Sequence, residues 1–194
     1  MYQGDPDPDC YPGTSVLRNL LDLRTQDDLD AFEHEAALAR SDEPLPIGGL
    51  DVRHYQAIHH HLFQDVYAWA GTFRTVRISK GSSMFCYPEH IPAEMSRLFK
   101  GLRHTVLESR LDAVTFADRA ASFLATLNAI HPFREGNGRT QLTFLAFLAH
   151  ESRHPLDFGR VSADRLLDAL IRSFAGDEAA LRAAMVDLTG PTQP

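Results

Sequence analysis

Nine consecutive residues, His131-Pro-Phe-Arg-Glu-Gly-Asn-Gly-Arg139, bring four kinds of chemistry within reach of one another. The His131 imidazole can take up a proton near neutral pH. Pro132 disfavours helical backbone at the residue before it, so His131 is expected at a helix end beside a polar loop. Gly136-Asn137-Gly138 tolerates unusual backbone angles and is expected just before a helix N-terminus. Unpaired N–H groups and the macrodipole there favour an anion. Glu135 offers a hard oxygen to Mg²⁺, and Arg139 a forked donor to phosphate oxygens. A base, a metal carboxylate, an anion nest and a phosphate arginine suit phosphoryl or nucleotidyl transfer, which depends on positioning and charge neutralisation. Alone, a Gly-Asn-Gly is an ordinary turn and a helix-end histidine an ordinary cap. The combination between two apolar segments carries the meaning.

Those two segments are expected to be helices. Residues 115–130 place Phe116, Phe123, Leu124, Leu127 and Ile130 on one face, and residues 140–151 are apolar almost all round, as in the middle of a bundle. Further helices are expected over residues 27–40, with Thr25 as N-cap, and over 51–63, 93–108, 162–173 and 178–188. One stretch breaks the pattern. Residues 72–78 alternate and are rich in β-branched and aromatic side chains, Lys80-Gly81-Ser82-Ser83 signals a turn, and residues 84–87 can return. The expectation is a mostly α chain with a single β-hairpin set between helices.

Composition removes several function classes. The 194 residues are 44% apolar and 23% charged, with a formal net charge of −7. That fits one globular domain and argues against a general nucleic-acid binder, which needs a basic face. The first residues lack the basic start and apolar run of a signal peptide, and no stretch approaches the length of a membrane span. Cys10 and Cys86 lie far apart without metal-ligand spacing, so they read as free thiols in a reducing compartment. A cytoplasmic site of action is expected, with no membrane and no nucleic-acid partner.

Two rival signals carry less weight. His150-Glu-Ser-Arg-His154 matches the zinc-protease pattern H-E-x-x-H. Pro155 disfavours helical geometry at His154, however, and no third ligand follows at the expected spacing. His59-His60-His61 are consecutive and therefore point in different directions on a helix.

The nine-residue loop resembles the signature of the Fic family. Two weaker segments agree, Tyr11-Pro-Gly-Thr-Ser-Val-Leu-Arg-Asn19 and residues 58–80. The resemblance implies an extended segment over residues 1–10 and a Fic domain over 11–190: a mostly α, Fic-type helical bundle with the hairpin as a flap over the active-site loop. It further implies a protein adenylyltransferase that moves AMP from ATP to a Tyr, Ser or Thr hydroxyl of a target protein. His131 would be the base, Glu135 would hold Mg²⁺, and Gly136, Asn137, Gly138 and Arg139 would bind phosphates. Phe133 would anchor the loop in the core. The target segment would dock on the flap, at Thr75, Val76, Arg77, Ile78, Ser79, Lys80, Gly81 and Phe85. Doc-like relatives carry lysine where this chain has Gly138 and act as kinases, so glycine favours AMP transfer.

One position departs from the motif. The family commonly has a second arginine three residues after the first, gripping the γ-phosphate, and this chain has Leu142. That leaves open weaker ATP binding, a different phosphate-containing donor, or a degenerate fold that binds without transferring. The family's inhibitory run of Ser or Thr, three residues, Glu, then Gly or Asn is absent from the sequence. A toxin-like role with a separate small antitoxin-like inhibitor, and delivery into another cell, are compatible with the resemblance.

Overall fold

A computed structural model describes residues 7–80, 83–107 and 111–190. Among them seven α-helices are formed: α1 Gln26–Ser41, α2 Val52–Phe63, α3 Ile91–Leu102, α4 Ala113–Ile130, α5 Asn137–Glu151, α6 Ala163–Phe174 and α7 Ala179–Thr189. Their starts follow from local chemistry. Side chains of Thr25, Asp51, Asp112 and Ser162 accept N–H groups of Asp28, His54, Thr115 and Arg165, which the first turn leaves without helical partners. Pro92 occupies the first turn of α3, where its missing N–H costs nothing.

The bundle is organised around α4, which touches α3, α5, α6 and α7. Phe116, Ala120, Leu124 and Leu127 are wholly buried along it, because its apolar residues recur at helical spacing. α5 packs on α4 and α2, with Phe144 against Phe123 and Tyr55 and with Leu145 and Leu148 buried. Its outer side is not sealed. Leu142, Ala146 and Phe147 line an apolar cavity of about 680 Å³ shared with Leu45, Val161 and Leu166. Among the described residues no helix is long and apolar enough to cross a membrane.

The expected elements need three corrections. α5 begins at Asn137 rather than at 140, so Asn137 and Gly138 belong to a helix and not to a preceding loop. α3 ends at Leu102 and continues as a π-helical turn, Arg103–Leu107; the expected end at Glu108 lies outside the described residues. The third concerns the hairpin. Residues 72–78 form no strand, and antiparallel pairing is confined to β1 Ser79–Lys80 against β2 Ser83–Met84, with Ser79 opposite Met84. Gly81 lies outside the described residues.

The reason is visible in the hydrogen bonds of Arg74. Its main-chain N–H donates to the Pro132 carbonyl at 2.9 Å. Its guanidinium donates to the carbonyls of His131 at 2.8 Å, Val76 at 2.7 Å, Cys86 at 2.6 Å and Ile130 at 3.2 Å. The segment is therefore tied to the α4–α5 loop, and a strand with no neighbour along its length has nothing to pair with.

Arg74 is a buried cation whose named partners are all carbonyl oxygens, two of them at the negative end of α4. Arg74→Met keeps the stem and removes every side-chain donor. It is expected to lower the unfolding free energy by roughly 3 kcal/mol, the scale of several charged hydrogen bonds lost in a buried place. Urea denaturation measures this, and an unchanged midpoint would mean that water can replace the guanidinium.

Candidate active site

α4 ends on His131 itself. That residue adopts left-handed backbone, φ 49° and ψ 64°, with its N–H bonded to the Leu127 carbonyl. A non-glycine residue in this region costs roughly 1–3 kcal/mol and needs surrounding structure to hold it. Arg74 supplies that hold by bonding the carbonyls of Ile130, His131 and Pro132, three consecutive residues. The His131 ring is fixed from two sides. Nδ1 lies 3.3 Å from the Asn128 carbonyl, which can only accept, so the neutral ring carries its proton on Nδ1 and its lone pair on Nε2. Phe85, just beyond β2, stacks on the imidazole with ring centroids 3.9 Å apart and planes 16° apart. Phe85 is braced in turn by Phe174 of α6 at 5.1 Å.

The turn between His131 and α5 is clamped by Asn137. Its Oδ1 accepts the Phe133 N–H and its Nδ2 donates to the Phe133 carbonyl, both at 2.9 Å. The Asn137 side chain is buried and both its polar atoms are engaged in this way, so what the residue offers an anion is its backbone N–H. Phe133 is wholly buried against His59, Tyr55 and Phe73, where it fixes the loop to α2.

Gly136 is glycine for two separate reasons. Its φ is +77°, and a Cβ there would lie 2.4 Å from the Phe63 ring. Gly138 sits in the first turn of α5, and a Cβ there would meet nothing within 4 Å. The face of α5 beside its unpaired N–H groups is therefore open, as an anion site at a helix N-terminus requires. Glu135 is exposed, and its Oε1 accepts the Gly136 N–H at 2.8 Å.

Arg139 leans over the Phe63 ring, 4.6 Å from its centroid, and is paired with Glu33 of α1. The other Glu33 oxygen accepts from the Tyr67 hydroxyl. Burial, together with the Glu33 carboxylate, raises the Tyr67 phenol far above its ordinary range, so it stays a donor. Arg134 points the other way and binds Asp7 at 2.6 Å. Glu33 and Asp7 are not marked by the sequence, because each reaches the loop over a long stretch of chain, and Tyr67 reads there only as core, where it is found. A buried glutamate on an otherwise ordinary amphipathic face was the available signal for Glu33.

Of the expected docking residues, Thr75, Arg77 and Ser79 are exposed, and Val76, Ile78 and Phe85 are partly buried. Arg77 lies over the Tyr87 ring at 4.3 Å. Lys80 lies in β1, paired with Ser83. The rival motifs are accounted for by ordinary contacts. His59, His60 and His61 bond three separate carbonyls, of Glu135, Ala70 and Arg40. His154 lies beyond the end of α5, with Nε2 on the Leu111 carbonyl and its ring on Phe116.

Among the described residues no three or more His, Cys, Asp or Glu side chains gather as a metal cage. One exposed carboxylate beside an anion cradle is nevertheless the donor set that suits Mg²⁺, which commonly takes one or two carboxylates and completes its shell with phosphates and water. Glu135 fits that ion.

Burial pushes the His59 imidazole down to about 4, with the Arg139 and His60 charges adding to the effect. The unfolded chain protonates this histidine near 6.5 and the folded chain does not. Stability is therefore level above about pH 6.5 and falls as pH drops toward 4, by roughly 3 kcal/mol from this residue. Urea midpoints from pH 7 to pH 4, beside a His59→Gln variant that lacks most of the slope, measure the effect.

Comparison with known proteins agrees with this geometry. A model of the Fic/DOC family matches residues 49–149. The chain is 50% identical over 183 residues to the probable protein adenylyltransferase y4lH of Sinorhizobium fredii, covering 94% of this chain and 95% of that protein. It is 38% identical over 179 residues to the protein adenylyltransferase VbhT of Bartonella schoenbuchensis, covering 91% of this chain and 37% of that longer protein. In fold it is similar to the BepC protein of Bartonella tribocorum, solved with bound AMPPNP, with a TM-score of 0.83 at 24% identity over 95% of this chain and 97% of that one. The chain belongs to the Fic/DOC family.

Proposed function

We propose that this chain is a Mg²⁺-dependent protein adenylyltransferase that moves AMP from ATP onto a Tyr, Ser or Thr hydroxyl of a target protein. One observation carries the reading: the His131 imidazole, with Nδ1 against the Asn128 carbonyl, stands at the end of α4, a few residues before the open N-terminus of α5. A base and an anion cradle are thus held by two packed helices. The relative in Sinorhizobium fredii, matched over 95% of its length and named a probable protein adenylyltransferase, supports the same reading.

In this mechanism Nε2 of His131 takes the proton from the target hydroxyl. The target oxygen forms a bond to the α-phosphorus, the bond from that phosphorus to the bridging oxygen breaks, and pyrophosphate leaves. The N–H groups of the first turn of α5 and the Arg139 guanidinium neutralise phosphate oxygens, which lowers the barrier without any covalent step on the protein. Glu135 would hold Mg²⁺, which when bound supplies further positive charge on the phosphates. The exposed residues from Thr75 to Ser79 would receive the target as an added strand. A separate small inhibitor protein and a cytoplasmic site of action belong to the same proposal.

Intact-mass analysis of target proteins after incubation with ATP and Mg²⁺ tests the reaction. The expected result is a gain of one AMP mass that falls by about 10²–10⁴ in His131→Ala, the usual worth of a general base. A gain of one phosphate would point to kinase chemistry. No adduct with any nucleoside triphosphate would leave a binding module.

Leu142 is partly buried on the same helix face as Arg139, and a long arginine stem can follow its path while the head reaches the ligand. Leu142→Arg is expected to tighten ATP binding by about ten- to a hundredfold, read by calorimetry. Unchanged affinity would mean that another residue already holds the γ-phosphate.

A further inference from the structure

His59 lies in the middle of α2, wholly buried, and both of its ring nitrogens are occupied. Nδ1 accepts the Gly71 N–H at 2.8 Å. A backbone amide can only donate, so the lone pair is on Nδ1 and the proton is on Nε2. Nε2 then donates to the Glu135 carbonyl at 3.0 Å. The donor on the far side is itself fixed, since Gly71 has φ +83° and a Cβ there would press on His60 and on the Gln56 carbonyl.

The Glu135 carbonyl and the Gly136 N–H are the two ends of one peptide plane. His59 holds the carbonyl, and the Glu135 carboxylate accepts the N–H. This peptide leads into Gly136, the residue that caps α5, so holding it fixes how the chain enters the turn that carries the N–H groups of Asn137, Gly138 and Arg139. It also joins a left-handed glycine, the residue with the most freedom to rotate, so something outside the loop has to hold it. The stacking of His59 on Phe133, with centroids 3.7 Å apart, ties the same ring to the start of the loop.

We propose that His59 is a positioning residue for the anion cradle: a buried neutral imidazole whose Nε2–H locks the Glu135–Gly136 peptide and so aims the first turn of α5. The proposal rests on reading that turn as a phosphate site. The burial of His59, which keeps the ring neutral through the physiological range, preserves the lone pair that Gly71 requires.

Two substitutions separate the two ends of the ring. His59→Asn sets an amide oxygen near the Nδ1 position, keeping the Gly71 contact and losing Glu135. His59→Gln sets an amide nitrogen near the Nε2 position, keeping Glu135 and losing Gly71. Both give up the ring contact with Phe133, so packing loss is shared between them. The full chain is examined for its dissociation constant with a non-hydrolysable ATP analogue, for amide hydrogen exchange over residues 136–139, and for its Tm.

The expected result is that His59→Asn weakens the analogue by about tenfold and speeds exchange at Gly136, whose N–H is hydrogen-bonded, by about tenfold, while His59→Gln stays within about threefold of the parent. Equal effects in the two variants, at similar Tm, would reduce His59 to packing and overturn the proposal. Should the parent chain bind no nucleotide, the phosphate reading fails, and the exchange rates still decide whether His59 holds the peptide.

Discussion

A guanidinium among carbonyl oxygens holds the functional end of this protein together. Arg74 gathers the carbonyls that α4 leaves unpaired at its end and, with the same group, two carbonyls on either side of the β1–β2 pair. A cation buried without an anion is costly in general. Here the helix end supplies the opposite partial charge, and each named carbonyl would otherwise want a donor. The result couples three things that could have moved separately: the left-handed turn at His131, the approach of the chain to the short strand pair, and the Phe85 ring that lies on the imidazole.

The second half of the loop is held differently. Asn137 closes the turn on itself through both polar atoms of its amide, and Phe133 sinks between His59 and Tyr55. Arg139 is steadied by Glu33, whose other oxygen is taken by Tyr67. The loop that carries the groups with chemical potential is therefore held rigidly from beneath by buried contacts, which is the arrangement that electrostatic catalysis rewards.

The loop was legible in the sequence because its residues act on one another over short distances. Proline after histidine, glycine at a left-handed position and arginine in the first helical turn are local rules, and the structure applies them at His131, Gly136 and Arg139. The apolar faces of α4 were legible for the same reason. The strand expected over 72–78 was not formed, because alternation reports which side chains can face a core and says nothing about where backbone hydrogen bonds go. Arg74, in the middle of that run, takes them to the helix end. α5 starts earlier than the sequence suggests, because Gly-Asn-Gly as a whole signals a turn whereas only Gly136 leaves helical backbone. The roles of Glu33, Tyr67 and Asp7 became visible only when distant segments met, the one local hint being a glutamate on the apolar face of α1.

The contact chain behind Arg139 has an optical consequence. The chain contains one tryptophan, and Trp69 stacks on Tyr67 with ring centroids 4.3 Å apart. Tyr67 bonds Glu33, and Glu33 bonds Arg139. An anion that draws Arg139 away from Glu33 changes the charge felt by the tyrosine on which the indole rests. The molecule thus carries its own fluorophore two side chains from the arginine, and its emission reports events at the mouth of α5 without a label.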